Sequence, residues 1–362
     1  MNRLTRTLVQ AGTAACVAAL AHTVPAQAED VAAFYKDKTI TIVVGYGTGG
    51  GYDAYARLVG RHFGDKMPGK PKVIVQNMPG AGSLRAMNYL YASAPKDGTV
   101  FGTFSRNMPL MGILGGNKNV QFDPRKMTWL GSPSSADNDA YLMFVRKDAK
   151  AKNIQDILKK DGPQVILGGT ARGSTGNDIA TLLKDTIGAN IKLIAGYRDT
   201  NAINPAIERG EIEGRFVGLS SVSSTYPHWL KKDSIVYPFV QFARKTRHPK
   251  YPDVPTVREL VKDPKARKLI EVSEIPYELS RPFAGPPGIP AARAKALQDA
   301  FMAMAKDQKF LADSSRMGVD VSPVGAKAAQ EMMNDIAAAP EEAKAYLKGL
   351  LFSGKKKKKK KS

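Results

Sequence analysis

The residues best placed to do chemistry in this chain form a strand, a glycine loop and a helix start. Residues 39–57 read TITIVVGYGTGGGYDAYAR. The β-branched run Ile40, Ile42, Val43 and Val44 predicts a strand, and the glycines at 45, 47, 49, 50 and 51 predict a loop behind it. Tyr55, Leu58 and Val59 then recur at helical spacing. Such a loop carries backbone N–H groups without partners at the positive end of a helix dipole, so it attracts an anion. Tyr46, Gly47, Thr48, Gly49, Gly50 and Gly51 are therefore candidate ligand contacts. Asp53 joins them as a candidate ligand contact or base, although a first-turn carboxylate also complements the dipole without any ligand.

A second unit repeats the arrangement. Residues 164–178 read QVILGGTARGSTGND: an apolar run, a glycine loop carrying Thr170, Arg172, Ser174 and Thr175, then a helix that Ser174 or Thr175 can cap. The Arg172 guanidinium suits bidentate pairing with a carboxylate. Residues 99–105 read TVFGTFS and present Thr103 and Ser105 at the end of a strand. Ligands of open α/β sheets sit beyond the carboxyl ends of strands, so the two glycine loops are expected to face each other across a cleft.

Other chemistry is thin. The four histidines, His22, His62, His228 and His248, have no ligand-like spacing, and Cys16 is the one cysteine. No G-x-S-x-G nucleophile elbow occurs. Asp137-Asn138-Asp139 matches part of a calcium loop but lacks its later Gly and Glu. The strongest rival to a binding protein is an oxidoreductase, exported or mislocalised, that binds a nucleotide on the Gly45–Gly50 loop, because that loop fits G-x-G-x-x-G. That fingerprint wants an acid at the end of the next strand, where this chain has Gln76-Asn77-Met78. A phosphate-binding P-loop fails because Gly51, not Lys, follows Gly50.

The elements that must position these loops read as α/β. Arg3 and Arg6, an Ala-rich apolar stretch and Ala26-Gln27-Ala28 make residues 1–28 a secretory signal peptide. No later run has the roughly twenty apolar residues of a membrane span. Of the formal charge of +21, Arg3 and Arg6 supply two and Lys355–Lys361 seven, leaving +12 on residues 29–354. That balance favours anionic partners in general. The lysine run has no interleaved aromatic for stacking on bases, so residues 355–362 read as a disordered tail and not as a nucleic-acid arm. Between signal and tail, strand-like segments alternate with helix-like ones, ending in a strand-poor helical part with helices expected at 291–306, 308–317 and 326–346.

The segment VVGYGTGGGYDAYAR resembles the signature of the periplasmic substrate-binding proteins of tripartite tricarboxylate transporters, the Bordetella-uptake-type family. Gly49, Gly50, Gly51, Asp53, Ala56 and Arg57 match it, with Tyr46 at its aromatic position. VIVQNMPGAG at 73–82, PKDG at 95–98, AGY at 195–197, RGEIEG at 209–214, PTVRE at 255–259 and GPPGIP at 285–290 resemble further family segments in collinear order. Gly45 and Thr48 stand where prolines are common, and residues 226–251 are unusually basic. The resemblance implies a type II periplasmic binding fold, with two α/β lobes closing over a small carboxylate. Lobe one would comprise residues 29–135 and 283–354, lobe two residues 136–282, with hinges near 132–139 and 279–284. It implies a monomeric receptor, not an enzyme, that uses no cofactor and no metal. Such a receptor would bind a small organic acid between loops 46–51 and 169–175, with Tyr46 and Tyr197 as cleft walls, and hand it to membrane permease subunits.

Overall fold

A computed structural model describes residues 29–352. The expected signal peptide, with Cys16 and His22, and the lysine run lie outside the described residues. The strands are β1 (Thr39–Val44), β2 (Lys72–Asn77), β3 (Val100–Thr103), β4 (Thr128–Ser132), β5 (Tyr141–Arg146), β6 (Val165–Gly169), β7 (Ile191–Ala195), β8 (Gly214–Gly218), β9 (Val236–Phe242), β10 (Phe283–Gly285) and β11 (Val324–Gly325). The helices are α1 (Val31–Tyr35), α2 (Gly51–His62), α3 (Leu84–Ala92), α4 (Met108–Leu114), α5 (Ile154–Leu158), α6 (Thr175–Ile187), α7 (Thr200–Glu208), α8 (Leu219–Thr225), α9 (Val257–Leu260), α10 (Pro264–Glu274), α11 (Ala291–Ala305), α12 (Gln308–Arg316), α13 (Ala326–Ala338) and α14 (Glu341–Phe352).

Two mixed sheets organise these elements as two α/β lobes. The first sheet has the order β11-β4-β10-β3-β1-β2, the second β7-β6-β8-β5-β9. In each, the strand that feeds a glycine loop lies inside the sheet and pairs in parallel on both sides: β1 with β2 and β3, β6 with β7 and β8. Strands buried on both faces read as continuous apolar runs, as β1 and β6 do, so each carboxyl end is fixed by its neighbours before its loop begins. The first lobe packs Ile40, Ile42, Val44, Phe101 and Phe283 against α2 and α11. Part of the second packs Leu142, Phe144, Val217 and Trp229 against α7 and α8.

The two expected crossings are bonded to each other. Ser280 N donates to the Ser134 carbonyl at 3.0 Å, and Arg281 N donates to Ser132 Oγ at 2.9 Å. The C-terminal end differs from its reading. The helix expected over 326–346 is two, broken at Ala339-Pro340 because proline cannot continue an i→i−4 ladder. The first, α13, packs on α4 and β4, while α14 also reaches α6 and α10 of the second lobe. Helices α4 and α10 carry weaker sequence signals. Each begins with a proline in its first turn, and Asp263 caps α10 through Ala266 N.

Candidate functional site

The loops of β1 and β6 meet across a cleft of about 650 Å³, its open mouth included. Tyr46, Gly47, Gly50 and Gly51 line it from one side, and Thr170, Ser174 and Thr175 from the other. The N-cap residues of both helices, Gly50 for α2 and Ser174 for α6, make no side-chain cap bond. The Ser174 hydroxyl instead donates to the Ala171 carbonyl at 2.6 Å and accepts from Thr170 Oγ1 at 2.7 Å. The expected side-chain cap is therefore absent; Asn177 N donates to the Ser174 carbonyl at 3.1 Å, and the N–H groups ahead of it in α6 and those opening α2 have no side-chain cap in the cleft.

The described loops are in contact. Asn201 Nδ2, at the start of α7, donates to the Thr48 carbonyl at 2.7 Å. Ser105 Oγ donates to the Gly173 carbonyl at 3.0 Å. Gly51 and Ser221 oppose each other so closely that a Cβ on Gly51 would lie 1.9 Å from Ser221 Oγ. The turn at 80–83 holds Gly80 and Gly82 at φ 149° and 62°, and a Cβ on Gly82 would lie 3.3 Å from the Arg172 carbonyl.

The remaining expected contacts lie outside the cleft lining, each for a visible reason. Thr48 turns its carbonyl to Asn201, and Gly49, at φ 77°, donates its N–H to Asp53 Oδ2 at 2.9 Å. Asp53 is buried and fully engaged. It also accepts from Arg57 Nε at 2.9 Å and Asn77 Nδ2 at 2.8 Å, so it braces the loop. Burial raises the Asp53 carboxyl, but Arg57, the Gly49 N–H and the Asn77 amide outweigh it and hold it below the usual range. Thr103 is fully buried below the loop, and Ser105 is bonded to Gly173. Arg172 Nη1 donates to the Leu350 carbonyl of α14 at 2.7 Å, so the cation expected to pair with a ligand ties down the C-terminal helix. Tyr197 packs with Ile166, Ile203 and Ile212 beside Gly168, so it backs the wall and does not form it.

Residues that the sequence reading passed over complete the cleft: Tyr52, Tyr141, Asn177, Asp199, Arg215 and Ser221 among others. Tyr52 stacks on Tyr46 with ring centroids 4.8 Å apart. Beneath them lie buried guanidiniums. Arg106 sits 4.7 Å from the Tyr277 ring centre and 5.2 Å from that of Tyr141, and its Nε donates to the Tyr52 hydroxyl at 3.3 Å. Arg281 sits 5.2 Å from the ring centres of both Tyr52 and Tyr55. Burial raises the Tyr52 hydroxyl, but Arg106 and Arg281 together pull it below its usual range. Arg215, on β8, lines the cleft itself. A signal existed for it: it is the one charged residue in a strand buried along its whole length.

The cleft could hold a nucleotide only without its usual ribose acid. Asn77 stands at the end of β2, and its Nδ2 donates to the Tyr46 carbonyl at 2.9 Å and to Asp53. Among the described residues no cluster of three or more His, Cys, Asp or Glu could hold a metal ion, and no helix is long and apolar enough to cross a membrane.

No family profile matches the sequence, and no curated protein sequence matches it. Solved structures do match. The periplasmic binding protein BugD is similar over 87% of this chain and 98% of its own, at 19% identity and a TM-score of 0.68. An adipate-bound protein of R. palustris covers 86% of this chain and 97% of its own, at 19% identity and 0.67. MatC from Rhodopseudomonas palustris, with bound malate, covers 87% and 99%, at 18% identity and 0.62. The fold of this chain is therefore the one that its resemblance implied, that of the two-lobed periplasmic binding proteins.

Proposed function

We propose that the protein is an extracytoplasmic solute receptor that closes two lobes over a small organic carboxylate and delivers it to a membrane permease. The observation that carries this reading is the convergence of two helix starts, both without side-chain caps, on one cleft that lies above buried guanidiniums. Backbone N–H groups from both lobes bind one carboxylate, and the field of Arg106, Arg281 and Arg215 favours an anion over a neutral solute. The bound malate and adipate of the two R. palustris proteins support the same ligand class. The ligand-contacting groups are Tyr46, Gly47, Gly50, Gly51, Thr170, Ser174 and Thr175, joined by Tyr52 and Arg215. The site binds and releases without chemistry, in the periplasm, with hinges at 132–139 and 279–284.

A thermal-shift screen of organic acids tests this. Ligand at about a hundred times its dissociation constant stabilises by about 2.7 kcal/mol. An organic acid is expected to raise the melting temperature and NAD to leave it unchanged. Stabilisation by NAD and by no acid would return the loop to the oxidoreductase reading. Small-angle scattering with the best acid is expected to show compaction, and an unchanged radius of gyration at saturation would mean a rigid pocket.

A further inference from the structure

The buried arginines near the cleft are compensated very differently. Arg281 has Asp139, whose Oδ2 lies 3.6 Å from its Nη2, and its Nη groups also donate to Ser221 Oγ and the Ser280 carbonyl. Arg106 lies against the faces of Tyr141 and Tyr277 and bonds the Tyr52 hydroxyl. Arg215 has neither arrangement. It is 8% exposed, yet no carboxylate of the described residues forms an ion pair with it. Its Nη1 donates to the neutral Asn204 Oδ1 at 2.8 Å, its Nε makes a long 3.4 Å bond to the Phe216 carbonyl, and its Nη2 bonds no described protein atom.

Asp199, the acid that also lines the cleft, acts on Arg215 only through space and forms no ion pair with it. Its Oδ1 caps α7 by accepting from Asn201 N at 3.0 Å, and its Oδ2 pairs with Arg198 Nε at 3.3 Å. A buried cation without a counter-ion is costly, and the cost falls when an anion enters beside it. The loops of β1 and β6 already offer N–H groups for one carboxylate, whereas Arg215 stands apart from them on β8.

We infer that Arg215 is a specificity-determining residue that receives a second acidic group of the ligand, so that the receptor selects diacids over monoacids of the same chain length. This rests on the receptor reading above. A guanidinium held at its Nη1 and Nε edge keeps Nη2 directed at one site, and a charge-assisted bond there discriminates strongly against a ligand that leaves it empty.

Calorimetric titration of the full chain with matched pairs tests it: succinate against butyrate, glutarate against valerate, adipate against hexanoate. At least one diacid is expected to bind 30-fold or more tightly than its monoacid partner. Arg215→Met is expected to bring that ratio to within threefold of unity, and Arg215→Lys, which keeps a point charge without the fork, to an intermediate value. Near-ultraviolet circular dichroism checks that each variant is folded, and if Arg215→Met is not, the ratio of Arg215→Lys decides: an undiminished wild-type ratio there would overturn the inference. Monoacids that bind as tightly as diacids to the wild type would overturn the inference and leave the receptor reading standing. A ratio that Arg215→Met leaves unchanged in a folded protein would do the same. Binding of no acid from either series would remove the receptor reading and the inference together.

Discussion

The two glycine loops are braced by the same device with opposite electrostatic results. In each, an aspartate in the first turns of the following helix accepts the N–H of a loop glycine: Gly49 to Asp53 at 2.9 Å, Gly173 to Asp178 at 3.0 Å. In each, an asparagine amide completes the brace: Asn77 on Asp53 at 2.8 Å, Asn107 on Asp178 at 2.9 Å. Asp53 adds an ion pair with Arg57, and its asparagine comes from the neighbouring strand of its own lobe. Asp178 has no ion pair among the described residues, and its asparagine comes from the start of α4 in the other lobe. Burial consequently prevails, and the Asp178 carboxyl is pushed up to about 7 despite the Asn107 and Gly173 bonds and the charge of Arg172. A brace with a cation is a fixed part of its loop. A brace without one ties the lobes together in a way that depends on a proton.

The largest expected effect separates the braces by pH. Asp178 in the folded protein holds a proton near pH 7, whereas in the unfolded chain it titrates near 4. Folding thus takes up a proton between those values, and stability falls as pH rises through that window. At about 1.4 kcal/mol per unit, the loss between pH 4 and pH 7 is about 4 kcal/mol at most. Urea melts across this range are expected to show that loss in the wild type but not in Asp178→Asn. Glu274, which burial also pushes up to about 7, is present in both proteins and cancels in the difference. Parallel pH profiles would mean that burial does not raise the Asp178 carboxyl above its unfolded value.

Next in size is the closed contact between the lobes. Gly51→Ala places a Cβ 2.8 Å from Ser221 Cβ and 3.3 Å from its Cα, so rotating the hydroxyl away does not relieve it. Affinity for the best acid is expected to fall at least 50-fold, or about 2.3 kcal/mol, with the melting temperature of the free protein unchanged. Gly50→Ala, whose Cβ would meet Thr200 Oγ1 at an ordinary 3.4 Å, should stay within threefold. Calorimetry on both variants measures this, and equal losses would show that the described contact is not the bound one. By contrast, Gly169→Ala sets its Cβ 1.9 Å from Asn177 Oδ1 in the first turn of α6, so it should destabilise that lobe before any ligand is added.

Asp53→Asn removes an ionised acceptor that Gly49, Asn77 and Arg57 share. About 1–2 kcal/mol of stability at pH 7 is expected to go, a modest figure because Arg57 is half exposed and its pairing is screened. The Asp53 carboxyl titrates below its unfolded value, so its contribution is present above about pH 4 and is lost as pH falls further. The gap between wild type and variant should therefore close in acid, the reverse of the Asp178 pattern. A gap that widens in acid would refute the assignment.

The smallest effect concerns Arg172. Its bond to the Leu350 carbonyl predicts that Arg172→Ala costs about 1 kcal/mol in a thermal melt and changes acid affinity less than threefold. A loss comparable to that of Arg215→Met would restore Arg172 to the site.

Much of this molecule was legible in the sequence for a local reason. A run of β-branched residues followed by glycines constrains only its own backbone, and β1, β6 and their loops lie where the pattern puts them. The collinear turns at 79–82, 95–98 and 285–290 are local in the same sense, and with them came the α/β class and the two-lobed fold. The faces of side chains were not legible. Asp53 and Arg172 carry the right chemistry for an anion site, yet Asn77 and Leu350, distant in sequence, engage them elsewhere. Arg215 gave only a charge in an apolar strand, and nothing along the chain says that β8 lies beside β6 and opens onto the cleft. Sequence by itself determined where backbone N–H groups become available, because φ, ψ and glycine decide that within a few residues. Only the tertiary structure decided which charges remain uncompensated, because a counter-ion is a matter of distance in space across sheets and lobes.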